Sequence, residues 1–153
     1  MSELAIACED PRQPDVAGLV RELDRMFEEL YPAESNHLLD IETLARPGIK
    51  FFVLRRDREA IGCGALWIHE GYGEVKRVFV KHSARGLKLG HLILRKLEEE
   101  ARALQLPLLR LETGIHQPEA LALFASQGFS KCGAFGAYRA DDPNSVFMEK
   151  RIA

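Results

Sequence analysis

A mixed α/β (α+β) fold is predicted by three features of the chain. Residues 50–55, 60–68 and 74–80 are short runs rich in β-branched and aromatic side chains, separated by turn-like stretches at 56–59 and 71–73. Val16, Leu19, Val20, Leu23, Met26, Phe27 and Leu30 recur at three- and four-residue steps, the spacing of one helical face. Leu92, Ile93, Leu97, Ala101 and Leu104 form a second such stripe, with Arg95, Lys96, Glu98, Glu99 and Arg102 around the rest of the helix. With 153 residues and 46% hydrophobic content the chain has the size of one compact unit with a core, and no repeat, low-complexity tract or linker divides it. One domain over residues 1–153 is expected.

Taken in order, the apolar run at 4–7 reads as a strand before Asp10-Pro11, and the first stripe as the helix that follows it. Tyr31-Pro32 ends that helix, because the residue before a proline is pushed away from helical dihedrals. A polar loop at 33–37 leads to a second short helix over 38–45, with Ser35 or Asn36 as its N-cap, stopping before Pro47-Gly48. The three β-rich runs form an antiparallel meander. The helix after Gly90 is followed by a strand at 106–112, a helix at 118–126 opened by Pro118 and closed near Gly128, and a strand at 146–151.

Twenty-one basic against 23 acidic side chains give a formal charge of -2, so no global field draws the protein to nucleic acid or a membrane, and any anion site is local. Cys8, Cys63 and Cys132 are odd in number and lack CxxC spacing, which argues against a disulfide framework or a metal site. They fall within or beside apolar runs and are expected to be small core residues, without a nucleophilic role. The start of the chain lacks a basic flank and a long apolar stretch, and nowhere do some 18 apolar residues run together. A reducing cytoplasm is the expected location.

The most informative stretch is Val78-Phe79-Val80-Lys81-His82-Ser83-Ala84-Arg85-Gly86-Leu87-Lys88-Leu89-Gly90, where a strand passes through a short basic loop straight into a helix. The first amides of a helix have no intrahelical acceptor and carry a partial positive charge, so such a junction can hold a pyrophosphate through backbone alone. Arg85 adds a possible charge-assisted bond, with Lys88 and His91 beside it. On residues alone, a basic turn that merely caps a helix remains an alternative.

Arg85-Gly86-Leu87-Lys88-Leu89-Gly90 resembles the Arg/Gln-x-x-Gly-x-Gly/Ala loop of the GNAT N-acetyltransferase family. Downstream, the stretch Leu111-Glu112-Thr113 through Gln117-Pro118-Glu119-Ala120-Leu121-Ala122-Leu123-Phe124 to Gly128-Phe129 is similar to the family's strand followed by Asn-x-x-Ala-x-x-Leu-Tyr-x-x-x-Gly-Phe, with Gln117 for asparagine and Phe124 for tyrosine. The resemblance implies the acyl-CoA N-acyltransferase fold, a central mixed but mostly antiparallel sheet flanked by helices. It also implies acetyl-CoA as co-substrate. Val78, Phe79 and Val80 would then bond the pantetheine arm, Arg85, Gly86, Leu87, Lys88, Leu89, Gly90 and His91 would take the pyrophosphate, and Gln117 and Phe124 would complete the cofactor site. Lys88 stands at the usual first glycine, and its amide is expected to donate from a backbone kept at negative φ.

A primary amine has an ordinary pKa near 10 and must lose a proton before it attacks a thioester. Glu74, at the start of the cofactor-bearing strand, resembles the family's base and is expected to act directly or through water. Alternation puts Glu74, Lys76, Val78 and Val80 on one face and Val75, Arg77 and Phe79 on the other. The main-chain amide near Val80 is expected to meet the oxyanion. Phe124 has no proton for the departing thiolate, so Tyr138 is the expected donor, with water as the alternative.

In the family the region joining the first two helices roofs the acceptor, which makes Tyr31, Ser35, Asn36 and His37 candidates to bind it, together with Lys76 and Arg77. Arg139 and Asp141-Asp142 are further candidates. The expected acceptor is the amine of a small molecule or amino acid, attacked directly in a ternary complex, without metal, nucleic acid or membrane partner and with a homodimer allowed by apolar residues near the final strand. The competing reading is a module that holds acetyl-CoA without transferring acetyl. A dinucleotide oxidoreductase is disfavoured, since the glycines do not form GxGxxG and the strands do not repeat as parallel βαβ units.

Overall fold

The computed structural model describes residues 3–33, 39–84 and 88–153. Ser35, Asn36 and His37, and Arg85, Gly86 and Leu87, lie outside the described residues. The chain begins with β1 (Leu4–Cys8) and α1 (Pro14–Leu30). Pro14 opens α1 in its first turn, where a missing N–H costs nothing, and the stripe of Val16, Leu19, Val20 and Leu23 is buried. Tyr31 ends it in an extended conformation, its N–H returning to the Phe27 carbonyl. The short helix α2 (Ile41–Leu44) starts later than the sequence suggests. Its cap is Asp40, whose carboxylate accepts from the Thr43 amide at 2.7 Å.

The expected meander is β2 (Ile49–Arg56), β3 (Glu59–His69) and β4 (Tyr72–Val80), each antiparallel to the one before. After α3 (Leu89–Ala103) come β5 (Leu108–Gly114), α4 (Pro118–Ser126), a two-residue β6 (Ser130–Lys131) and β7 (Ser145–Arg151). The order across the seven-stranded sheet is β1-β2-β3-β4-β5-β7-β6. Only β4 and β5 run parallel, joined by the α3 crossover.

Helices cover both faces. Beneath α3 and α4, Leu54, Ile61, Leu66, Val75, Ile93, Leu97, Leu109 and Leu111 pack into one core. Beneath α1 and α2, Leu19, Val20, Leu23, Phe51, Val53, Cys63, Ala65 and Phe79 form the other. Each fully buried aliphatic side chain contributes about 1.5–3 kcal/mol, so both layers hold the sheet firmly. Cys63 is a core thiol as expected, but Cys8 is exposed and Cys132 half-buried, because they lie on or beside β1 and β6, the two edge strands of the sheet.

One irregularity places the site. Cys63 pairs with Phe79 and Ala65 with Lys76, so two residues of β4 oppose one of β3. This is a β-bulge, and Arg77 takes φ 55° within it. Strict alternation therefore fails. Val78 and Val80 join Val75 on the α3 side, while Phe79 lies on the α1 side, where Ala65 and Trp67, the partners of Lys76 and Glu74, also pack.

Candidate active site

β4 and β5 are registered over only two pairs, Gly73 with Leu109 and Glu74 with Arg110. Beyond them β5 stays bound to β7 along its length, from Leu108 with Arg151 to Gly114 with Ser145. β4 instead follows β3 through the bulge, and a bulge bends its strand. The strands part. A cleft of about 600 Å³ opens between residues 75–80 and 111–113, closed by the start of α3, by α4 and by the later turns of α1.

At one end the lining comes from residues 78–80 and from the starts of α3 and α4. Val78, Phe79, Val80, Lys88, Leu89, Gly90, His91, Gln117 and Phe124 all border the cleft. Lys88 departs from expectation: it caps α3 at φ 57°, the left-handed conformation natural to glycine, and its side chain makes no capping bond. The first amides of α3 are thus not capped by this side chain. Gly90 has a packing reason of its own, since a Cβ there would come within 2.8 Å of Leu123 on α4. Gln117 turns its side-chain oxygen to the Thr113 hydroxyl at 3.1 Å and the Gly114 amide at 3.4 Å, fixing the turn before α4. Phe124 is buried, edge-on to Phe129 with ring centroids 5.9 Å apart. His91 meets the Gln127 amide group through Nδ1 at 2.5 Å.

At the other end the site is made of ionisable side chains. Glu74 is 2% exposed, so it is no solvated strand-start residue. One carboxylate oxygen meets His69 Nε2 at 3.0 Å, and the other accepts from the Tyr138 hydroxyl and lies 3.5 Å from the Lys76 ammonium. Lys76 Nζ also donates to the Tyr138 hydroxyl at 2.8 Å. The structure thus gathers Glu74, Lys76 and Tyr138 into one network, of which only Lys76 borders the cleft. Burial pushes the Lys76 ammonium down, against the pull of Glu74, and burial followed by the Glu74 charge pushes the Tyr138 phenol up.

Glu112, on β5, was not singled out from the sequence. It borders the cleft, and its Oε2 accepts from the Ser145 hydroxyl at 2.8 Å. Burial pushes its carboxyl up to about 7, against the Ser145 bond and the Lys76 charge. Its signal is visible in retrospect: Glu112 is an acid directly after the strand run Leu108-Leu109-Arg110-Leu111, in phase with Arg110, the partner of Glu74.

Arg77 lines the cleft with its charge paired inside the protein. Its guanidinium reaches the Leu39 carbonyl, and Nε lies 3.2 Å from Asp24 Oδ1 on α1, an ion pair too bent for a hydrogen bond. Burial pushes Asp24 up and Arg77 down, each against its partner's pull. Tyr31 does not line the cleft. Its hydroxyl accepts from the His116 amide at 3.0 Å, and a Cβ on Gly114 would stand 1.8 Å from that oxygen, so Tyr31 ties the end of α1 to the turn before α4. Arg139 and Asp141 pair with each other at 2.9 Å on the exposed surface, and neither Asp141 nor Asp142 borders the cleft. Among the described residues no group of three His, Cys, Asp or Glu side chains is arranged to hold a metal, and no helix is long and apolar enough to cross a membrane.

A mixed sheet whose central parallel pair splays over the start of a crossover helix is the architecture of acyl-CoA N-acyltransferases. Comparison with known proteins agrees. The model of the acetyltransferase (GNAT) family matches residues 16–129, and the chain belongs to that family as an acetyl-CoA-dependent N-acetyltransferase. It is 52% identical to an IAA acetyltransferase of Azospirillum brasilense, over 99% of this chain and 100% of that one. It is 35% identical to the N-acetyltransferase YsnE of Bacillus subtilis, over 96% and 99% of the two chains. A solved Klebsiella pneumoniae structure, named as an acyl-CoA N-acyltransferase, superposes with a TM-score of 0.81 at 37% identity over 97% of each chain. The PaiA N-acetyltransferase of Thermoplasma acidophilum, solved with coenzyme A, shares the fold with a TM-score of 0.73 at 17% identity, over 98% of this chain and 99% of that one.

Proposed function

We propose that the enzyme moves acetyl from acetyl-CoA to the primary amine of a small molecule by direct attack in a ternary complex, with Glu112 as the base. One observation carries this reading: a half-buried carboxyl, pushed up to about 7, sits in the gap where β4 and β5 part. A general base works best with a pKa near the operating pH, and such proton transfer is worth about 10²–10⁴-fold.

Acetyl-CoA supplies the activated acyl group. The main chain at Val78, Phe79 and Val80 binds its pantetheine arm, and the loop of Arg85, Gly86 and Leu87 with Lys88, Leu89, Gly90 and His91 takes the pyrophosphate. Gln117 and Phe124 border the arm from α4. Above pH 7 Glu112 is ionised and accepts the proton of the acceptor's ammonium. Lys76 holds a positive charge beside it, and Glu74 with Tyr138 fixes that lysine in place. The thiol product has an ordinary pKa near 8.5 and takes its proton from solvent. Covalent transfer through Cys63 is disfavoured, since burial pushes that thiol up to about 12.

Thiol release from acetyl-CoA, followed with a panel of primary amines and with mass detection of the acetylated product, tests the reading. IAA, which is not a primary amine, is assayed beside the panel because of the Azospirillum relative's name. Acetylated amine in step with released thiol is the expected result. Thiol release without an acetylated acceptor contradicts it.

A further inference from the structure

Building on that reading of the cleft, we infer that the acceptor is an amine with an apolar or aromatic body and no carboxylate. At the acceptor end α1 contributes Leu23, Met26, Phe27 and Leu30 to the lining, a wall of hydrocarbon along the helix face. His116 also lines it, its ring held from behind by Tyr31 at 5.4 Å between centroids. Leu30 stays 41% exposed at the rim, an apolar side chain in position to be covered by a ligand.

The charges at this end are unequal. Among the described residues, both Lys and Arg cations that border it already stand beside protein partners: Lys76 beside Glu74 and Tyr138, and Arg77 beside Asp24 and the Leu39 carbonyl. A substrate carboxylate would have to displace one of these buried partners or enter unpaired, and both are costly. Glu112 is different. Among the described residues its hydrogen-bond partner is the neutral Ser145 hydroxyl, and the side chain faces the cleft with its ionised form held back by burial. An incoming ammonium gives it a charge-assisted bond, while the rest of the molecule covers Met26, Phe27 and Leu30. The site thus selects a single positive charge with hydrocarbon attached.

Matched acceptors that differ only by a carboxylate test this: phenethylamine against phenylalanine, and tyramine against tyrosine. The enzyme, saturated with acetyl-CoA, is expected to favour the amine of each pair by at least about tenfold in kcat/KM, the discrimination set by an uncompensated buried charge. Equal or better turnover of the amino acids overturns the inference while leaving the proposed reaction standing. Acetylation of no member of either pair, with coenzyme A still bound in a titration, contradicts the amine reading itself and this inference with it. Leu30→Arg, at an exposed position where folding is not at stake, places a cation on the rim. It is expected to narrow the amine-to-amino-acid ratio several-fold, and an unchanged ratio counts against the α1 wall as the recognition surface.

Discussion

Where Val78, Val80, Leu89 and Gly90 border the cleft, the surfaces on offer are peptide groups and hydrocarbon; where Lys76, Arg77 and Glu112 border it, each is an ionisable side chain with partners below the surface. The first end tolerates exchange of side chains, as Lys88 shows by standing in a glycine's conformation. The second depends on which atoms meet, and so on the bulge at Arg77 that turns Lys76 and Phe79 toward α1 and Val78 toward α3. Backbone recognition is written in local sequence, whereas side-chain chemistry waits on strand register.

Removing chemistry at the side-chain end has the largest consequence. Glu112→Gln is expected to lower kcat by about 10²–10⁴-fold in the thiol-release assay. The same change is expected to stabilise the protein at pH 8. A carboxyl raised from 4.5 to about 7 by folding has no effect on stability below 4.5, costs progressively more as pH rises to about 7, and stays costly above it. Denaturant unfolding at pH 8 should show a gain of roughly 1–3 kcal/mol, shrinking toward pH 4.5. Lost activity with gained stability separates a catalytic group from a structural one.

Next in size is the ion pair behind the site. Arg77→Met leaves the half-buried Asp24 carboxylate without its cation and is expected to cost about 3–5 kcal/mol by urea denaturation. Adding Asp24→Leu should recover much of this, because a neutral pair has no stranded charge. Tyr138→Phe removes one partner each from Glu74 and Lys76, and a loss of about 1–3 kcal/mol is expected. Its effect on thiol release should be well below that of Glu112→Gln, since Tyr138 does not border the cleft.

The backbone end should respond least. Lys88→Gly relieves a left-handed lysine and is expected to gain about 1 kcal/mol, with the KM for acetyl-CoA changed no more than a few-fold. A large rise in KM would mean that the lysine side chain, and not the amides of α3, binds the cofactor.

How much of this was legible in the sequence follows the same division. The helix at Pro118–Ser126 and the β2-β3-β4 meander were readable because turn residues and hydrophobic period agreed. Glu74 and Lys76 were placed together on one strand face, but Tyr138 was not foreseen between them, since it lies 62 residues beyond Lys76 in the chain. Glu112 was passed over because an acid in a strand becomes a base only through burial, and that burial is supplied by neighbours on other elements. The conformation of Lys88 escaped because its chemistry favours negative φ and the packing of α3 overrode it. The late start of α2 has a similar origin: Asp40 supplies a cap that composition alone did not rank above Ser35 or Asn36.

The account rests on the carboxyl of Glu112 changing charge near neutrality in the working enzyme. The pH dependence of kcat, measured with both substrates saturating, addresses it most directly, since kcat reports groups in the assembled complex. A rate that climbs about tenfold per pH unit and levels off near 7, with that limb absent in Glu112→Gln, is the predicted result. A limb of the same midpoint and height in Glu112→Gln would contradict it.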